Sequence, residues 1–232
     1  MVLTRAACDQ LLDYLHTHPN AVIRYYASDM ILCIVSDAAY LVLPKACSRC
    51  AALFTLMNLP TTNPPNPTPN GPLHVLCKAM KGDPASAAEA ETGGLLFNAA
   101  QEAIPIITAL QELGHPQSAT GTPLETDNST AHDFLTASVR MKRSKSCDMR
   151  YHWVKDRIAQ GQFFLYWARG KWNRADYFTK HHPPSYHKLM KYEYLQRPQA
   201  NLVMPHVRGC VSTFGLSRLL PRGSLTVGWQ HC

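Results

Sequence analysis

The order of the regular segments constrains the fold of this chain more than any other feature. Residues 22–39, 50–59 and 73–80 are rich in Val, Ile, Leu and aromatic side chains and read as three successive strands. A helix is predicted over 87–113, where Ser86 offers a cap and Glu89 the third helical position of a capping box; Gly93, Gly94 and Pro105 weaken or kink it, and Gly114-His115-Pro116 stops it. Strand 122–126, helix 129–139, helix 148–160 with Met149, Trp153 and Ile158 on its apolar side, strand 162–167 and a short helix from an Asn173 cap to Lys180 follow. Strands first, then alternation, predict an α/β domain with a mixed sheet flanked by helices.

The flanks read differently. Ala7, Leu11, Leu12 and Leu15 have helical spacing, and His18-Pro19-Asn20 ends the pattern, so residues 1–20 form a connecting helix outside a main domain at 21–197. Residues 60–72 are a Pro/Asn/Thr loop, longer than a hairpin needs, and read as an insertion at a strand tip. Residues 198–232 show no sustained periodicity and are expected to be a loosely ordered tail.

The 232 residues suffice for one sizeable domain with extensions. A net charge of +7 favours an acidic partner, nucleic acid among them, over a neutral one, although a solvated basic surface has the same composition. The eight cysteines follow no repeated spacing and no secretory signal precedes them, so reduced thiols in an intracellular protein are expected. Cys47 and Cys50 have zinc-knuckle spacing without a matching second pair, and Pro183-Pro184 interrupts helical pairing among His181, His182 and His187. No apolar run approaches the ~20 residues a membrane span requires.

Four acids occupy suggestive places. Asp37 ends the apolar run Met30–Val35 plus Ser36, Glu91 lies in an Ala-rich helix, Asp127 closes a strand, and Asp176 opens a helix. Taken singly, Asp37 is equally a turn residue, Asp127 and Asp176 are acids suited to helix N-termini, and Glu91 is a solvated helix residue. Together they fit phosphodiester hydrolysis. That reaction needs a nucleophilic water, stabilisation of a highly charged transition state and help for the leaving oxygen, which two cations roughly 3.5–4 Å apart supply. Hard Mg²⁺ ions that close require carboxylates converging from separate elements.

Ser36-Asp37-Ala38, Ala88-Glu-Ala-Glu91, Thr126-Asp-Asn128, Asp148-Met-Arg-Tyr-His152 and Ala175-Asp-Tyr-Phe-Thr-Lys180 resemble, in order, the ribonuclease H domain of copia-type retrotransposon polyproteins. The resemblance runs from about Asp9 to Arg197. It implies a ribonuclease H-like fold: a five-stranded mixed sheet, its first three strands antiparallel, with helices on both faces. It also implies hydrolysis of the RNA strand of RNA–DNA hybrids with two Mg²⁺ ions, or Mn²⁺ in their place. Carried over by position, Asp37, Glu91, Asp127 and Asp176 are the catalytic acids and metal ligands, with Glu89 the competing choice for the helix acid. The N-terminal helix resembles the segment that joins reverse transcriptase to ribonuclease H, so the reverse transcriptase portion of one polyprotein is the expected partner, with no membrane, in cytoplasmic particles or the nucleus. The paired-aspartate motif of the polymerase is missing.

The resemblance also places the substrate. The run Arg140-Met-Lys142-Arg143-Ser-Lys145 corresponds to a basic protrusion that grips the DNA strand, although a solvated loop or targeting-like run would read the same. Asn128 and Ser129, with Thr130, are placed to contact 2′-hydroxyls or phosphates. Two departures stand out: Thr92-Gly93-Gly94 follows the helix acid, and loop 168–173 lacks the mobile His of many ribonucleases H, offering Arg169 and Lys171 instead. These leave a second reading, a degenerate fragment that keeps the fold and binds nucleic acid without cleaving it. An integrase-like nuclease fits poorly, because its acids run Asp, Asp, Glu.

Overall fold

The computed structural model describes residues 2–67, 70–80, 90, 92, 97–136, 148–195 and 225–227. Its elements in chain order are α1 (Val2–Thr17), β1 (Ile23–Tyr25), β2 (Ile31–Leu43), β3 (Cys47–Met57), β4 (Pro72–Ala79), α2 (Phe97–Glu112), β5 (Thr122–Thr126), α3 (Ser129–Thr136), α4 (Asp148–Ala159), β6 (Phe163–Trp167), α5 (Asp176–Thr179), α6 (Pro184–Tyr194) and β7 (Leu225–Val227). Five strands form one sheet in the order β4-β3-β2-β5-β6. β2, β3 and β4 are antiparallel neighbours, whereas β5 runs parallel to β2 and β6 parallel to β5. This is the mixed sheet expected of a ribonuclease H-like fold.

β2 is its centre because its sequence can be buried on both faces. Leu32 and Ile34 join Phe54, Leu124, Phe163 and Leu165 in the main core, which α2 covers with Ala99, Ala100 and Ala103, and α4 with Tyr151 and Val154. On the opposite face Val35 and Leu53 pack against Ala175, with Phe178 and Tyr194 at the margin. Helices therefore lie on both sides, and the smaller layer, α5 with α6, is the one that carries Asp176.

Several boundaries differ from the sequence reading. The first predicted strand is two strands, because Met30 takes a left-handed conformation (φ 60°) between them. Asn70, at the end of the 60–72 loop, ties the parts together: its side chain accepts from Tyr26 N and Gly71 N and donates to the carbonyls of Tyr26 and Leu56. α2 continues through Pro105 and ends at Glu112; beyond it Gly114, with a φ of 87°, allows His115 N to bond back to Leu110 O at 2.9 Å. Ser86, Glu89 and Gly93-Gly94 of its predicted start lie outside the described residues. Pro184, expected to interrupt helix, instead opens α6, since proline is well tolerated in a helix's first turn. Within the expected loose tail, Leu225–Val227 pairs antiparallel with β1, joining Ile23 to Val227 and Tyr25 to Leu225. α1 is exposed along its described length, and no described helix is long and apolar enough to cross a membrane.

Candidate active site

Parallel pairing of β2 with β5 brings the first two acids together. Val35 stands opposite Glu125, so Asp37 and Asp127, each two residues further along, leave the sheet side by side on the same face. Asp176 enters from above at the first position of α5, which packs on β2 and β3. The three charges act on one another. Burial pushes the carboxyl of Asp37, 3% exposed, up to about 6; the Thr179 hydroxyl bonded to it opposes the rise, the charges of Asp127 and Asp176 add to it, and Lys180 opposes it. Burial also raises Asp127, against hydrogen bonds from its own amide and from Asn173, with the charge of Asp176 adding to the rise and Lys180 opposing it.

Residues whose roles the sequence reading missed hold these acids. Thr179 Oγ1 donates to Asp37 Oδ2, and the Lys180 ammonium donates to Asp176 Oδ1. Burial draws the Lys180 ammonium down, but its bond with Asp176 and the charges of Asp176, Asp37 and Asp127 outweigh this and raise it. Asn173 Nδ2 donates to Ser36 O at 2.8 Å, Asn173 Oδ1 accepts from Ala175 N, and the same side chain bonds Asp127. Ser36 Oγ in turn donates to Glu125 O at 2.6 Å, tying β2 to β5 directly beneath the acids. Thr179 and Lys180 follow Asp176 by three and four residues, the helical spacing that places side chains on one face, and this signal was available in the sequence.

A fourth carboxylate lies deeper on the same face. Glu125 is buried and accepts from Tyr166 Oη at 2.8 Å, its cross-strand partner on β6, while Cys33 Sγ stands 4.0 Å from that hydroxyl. Burial raises Glu125 above the ordinary carboxylate range, opposed by the Tyr166 bond, with the charge of Asp127 adding to the rise. Burial pushes the Cys33 thiol up to about 12, so it is a neutral thiol. Glu125 precedes Asp127 by two residues, and strand periodicity alone puts both on one face.

The remaining expected residues divide between described and undescribed parts. Asn128 caps α3, its Oδ1 accepting from Ala131 N at 3.0 Å, and Ser129 is exposed in the first turn. Glu91, its competitor Glu89, and the basic residues Arg140, Lys142, Arg143 and Lys145 lie outside the described residues. Cys47 and Cys50 lie on β3 outside any disulfide, Cys50 Sγ donating to Lys78 O, and their spacing of three directs them to opposite strand faces.

The oxygen donors of Asp37, Asp127 and Asp176 suit a hard divalent cation in kind. Their spacing does not yet suit one: among the described residues no three His, Cys, Asp or Glu side chains are grouped closely enough to hold a metal ion. Lys180 supplies the positive charge that the site demands.

No protein-family model matches the chain, and no curated protein matches it. Solved structures do. One is the N-terminal RNase H domain of Rv2228c from Mycobacterium tuberculosis, solved as a fusion with maltose binding protein: 15% identity, TM-score 0.40, 71% of this chain and 96% of that one. Another is LC11-RNase H1 in complex with an RNA/DNA hybrid: 15% identity, TM-score 0.40, 63% of this chain and 92% of that one.

Proposed function

We propose that this chain hydrolyses the RNA strand of RNA–DNA hybrids, as the ribonuclease H part of a copia-type retrotransposon polyprotein. The observation that carries the reading is the register that sets Asp37 beside Asp127 on one face of two parallel strands, with Asp176 near enough for its charge to act on both. Glu91 is the proposed fourth ligand. Bound Mg²⁺ or Mn²⁺ would supply an activated water and charge stabilisation. The chain's own residues orient the site: Thr179 fixes the rotamer of Asp37, Asn173 holds Asp127 against Ser36, and Lys180 screens Asp176. Arg140, Lys142, Arg143 and Lys145 are proposed to grip the DNA strand, and Asn128 and Ser129 to contact the RNA backbone. The proposed partner is the reverse transcriptase portion of the same polyprotein, inside the cell, in cytoplasmic particles or the nucleus.

The test is cleavage of an end-labelled RNA–DNA hybrid in Mg²⁺, with Asp127→Asn alongside. The wild type is expected to cut internally and the variant to fall by at least about a hundredfold, comparable to losing a principal electrostatic element of a catalytic site. Equal activity of the two would end the reading. One observation favours an alternative, nucleic-acid binding without hydrolysis: Lys180 already neutralises Asp176. That reading predicts hybrid retention without cleavage at any concentration of Mg²⁺ or Mn²⁺.

A further inference from the structure

The turn between β6 and α5 carries an aromatic and cationic surface that the acid chemistry does not use. Trp172 is 70% exposed, and Lys171 places its ammonium 5.1 Å from the centre of the Trp172 ring. Arg169 is exposed beside them, and Trp167, 42% exposed, begins the same turn. Leaving so much indole in water is unfavourable, because its large apolar surface goes uncovered.

The turn is anchored to the catalytic acids along its length. Trp167 Nε1 donates to Asp127 O at 2.9 Å, and Gly170 lies directly against the Asp127 carboxylate. Trp172 N bonds Arg169 O at 3.0 Å and Asn173 N bonds Gly170 O at 3.0 Å, closing a single 3₁₀ turn whose next side chain, Asn173, holds Ser36. Trp172 is therefore bracketed by two residues that touch the acid site, and it belongs to a fixed turn.

An indole face accepts a nucleobase most readily where that base is unpaired and offers a free face, as in a single strand or a splayed nucleotide; bases paired within a duplex are covered on both sides. The adjoining cations suit the phosphates of the same nucleotide, and the chain's net charge of +7 favours their approach. We propose that the Arg169–Trp172 turn binds an unpaired nucleotide of a single-stranded segment beside Asp127, with Trp172 as the stacking platform and Arg169 and Lys171 as phosphate contacts. Its place in catalysis rests on the hydrolase reading above; the binding itself does not.

The experiment measures fluorescence anisotropy with the full chain in EDTA, so that no cleavage intervenes. The probes are a short fluorescein-labelled single strand, in RNA and DNA versions, and a blunt RNA–DNA hybrid of the same sequence. Trp172→Ala is expected to weaken single-strand binding about tenfold, Trp172→Phe to retain most of it, and both to leave the blunt hybrid within about twofold, in line with the contribution of one stacked base. The Arg169→Gln/Lys171→Gln double variant is expected to lower the slope of log affinity against log salt by about one to two. Thermal unfolding of each variant confirms the fold, which the exposure of these side chains should preserve. Single-strand affinity unchanged in Trp172→Ala, or an equal loss on both probes, overturns the proposal. Binding as expected in a chain that never cleaves hybrid leaves it standing and ends the hydrolase reading; cleavage with unchanged single-strand binding does the reverse.

Discussion

Gly170 stands so close to Asp127 that a Cβ added there would lie 2.6 Å from Asp127 Oδ2. The contact meets the end of a side chain, so an added methyl would displace the carboxylate while the backbone stays in place. Gly170→Ala is expected to unfold within about 1 kcal/mol of the wild type yet to lose hybrid cleavage at least about tenfold, because a misplacement near 1 Å is costly in a positioned site. Urea denaturation beside the cleavage assay checks this; full activity in the variant would show that Asp127 tolerates the shift.

Asp37 makes a pH-dependent contribution with a definite sign. Its folded carboxyl titrates at about 6 against an ordinary 3.8, so between those values the folded chain holds a proton that the unfolded chain has released. Stability from this group is therefore lost as pH rises from about 4 to 6, and the ionised site carries a penalty of up to about 3 kcal/mol. Asp37→Asn removes the charge and keeps an acceptor for Thr179. In EDTA its melting temperature should match the wild type near pH 4 and exceed it by several degrees at pH 7, with cleavage abolished. A gap that does not depend on pH contradicts the assignment.

Tyr166→Phe withdraws the donor from Glu125, leaving a buried carboxylate short of a partner. A loss of about 1–3 kcal/mol is expected by denaturant titration at pH 7. In a Glu125→Gln background the same substitution should cost clearly less, and strict additivity in this double-mutant cycle would show that the two groups do not interact.

Lys180→Met leaves the three aspartates without the ammonium that stands beside them. The variant is expected to melt lower than the wild type in EDTA at pH 7 and to gain more than the wild type from added Mg²⁺ or Mn²⁺. Thermal shifts on metal addition report this directly. An equal metal response in the two proteins would mean that Lys180 and the cation do not compete.

The legible parts of the fold were those fixed by local pattern. The apolar run before Asp37 read as a strand, and the order of strands and helices implied the mixed sheet that is seen. The register of β2 against β5, which sets Asp37 beside Asp127, depends on pairing across nearly the whole domain and no local signal announces it. Met30 was unreadable for a related reason: a left-handed methionine has no sequence signature, and the bonds that hold it, from Met30 N to Ser28 Oγ and from the distant Gln117 Nε2 to Met30 O, appear only in the fold. At the site, Asp37 drew notice because it closes an apolar run, whereas Asp127 and Asp176 read alone as ordinary helix N-terminal acids, and the also buried Glu125 was passed over. Asn173, Thr179 and Lys180 resembled ordinary cap and helix residues until the structure brought them to the acids.

The burial of Asp37 gives the chain's sequence drift a direction. Neutral replacements at this position relieve the folded state, so random substitution there runs downhill in stability while it removes the chemistry. Under the proposed function, a copy released from selection for cleavage would keep its sheet and core, and could grow more robust, as it lost the Asp37 charge. Thermal robustness among relatives of this chain is thus expected to accompany silence as readily as activity, and a well-folded copy gives no assurance of a working one.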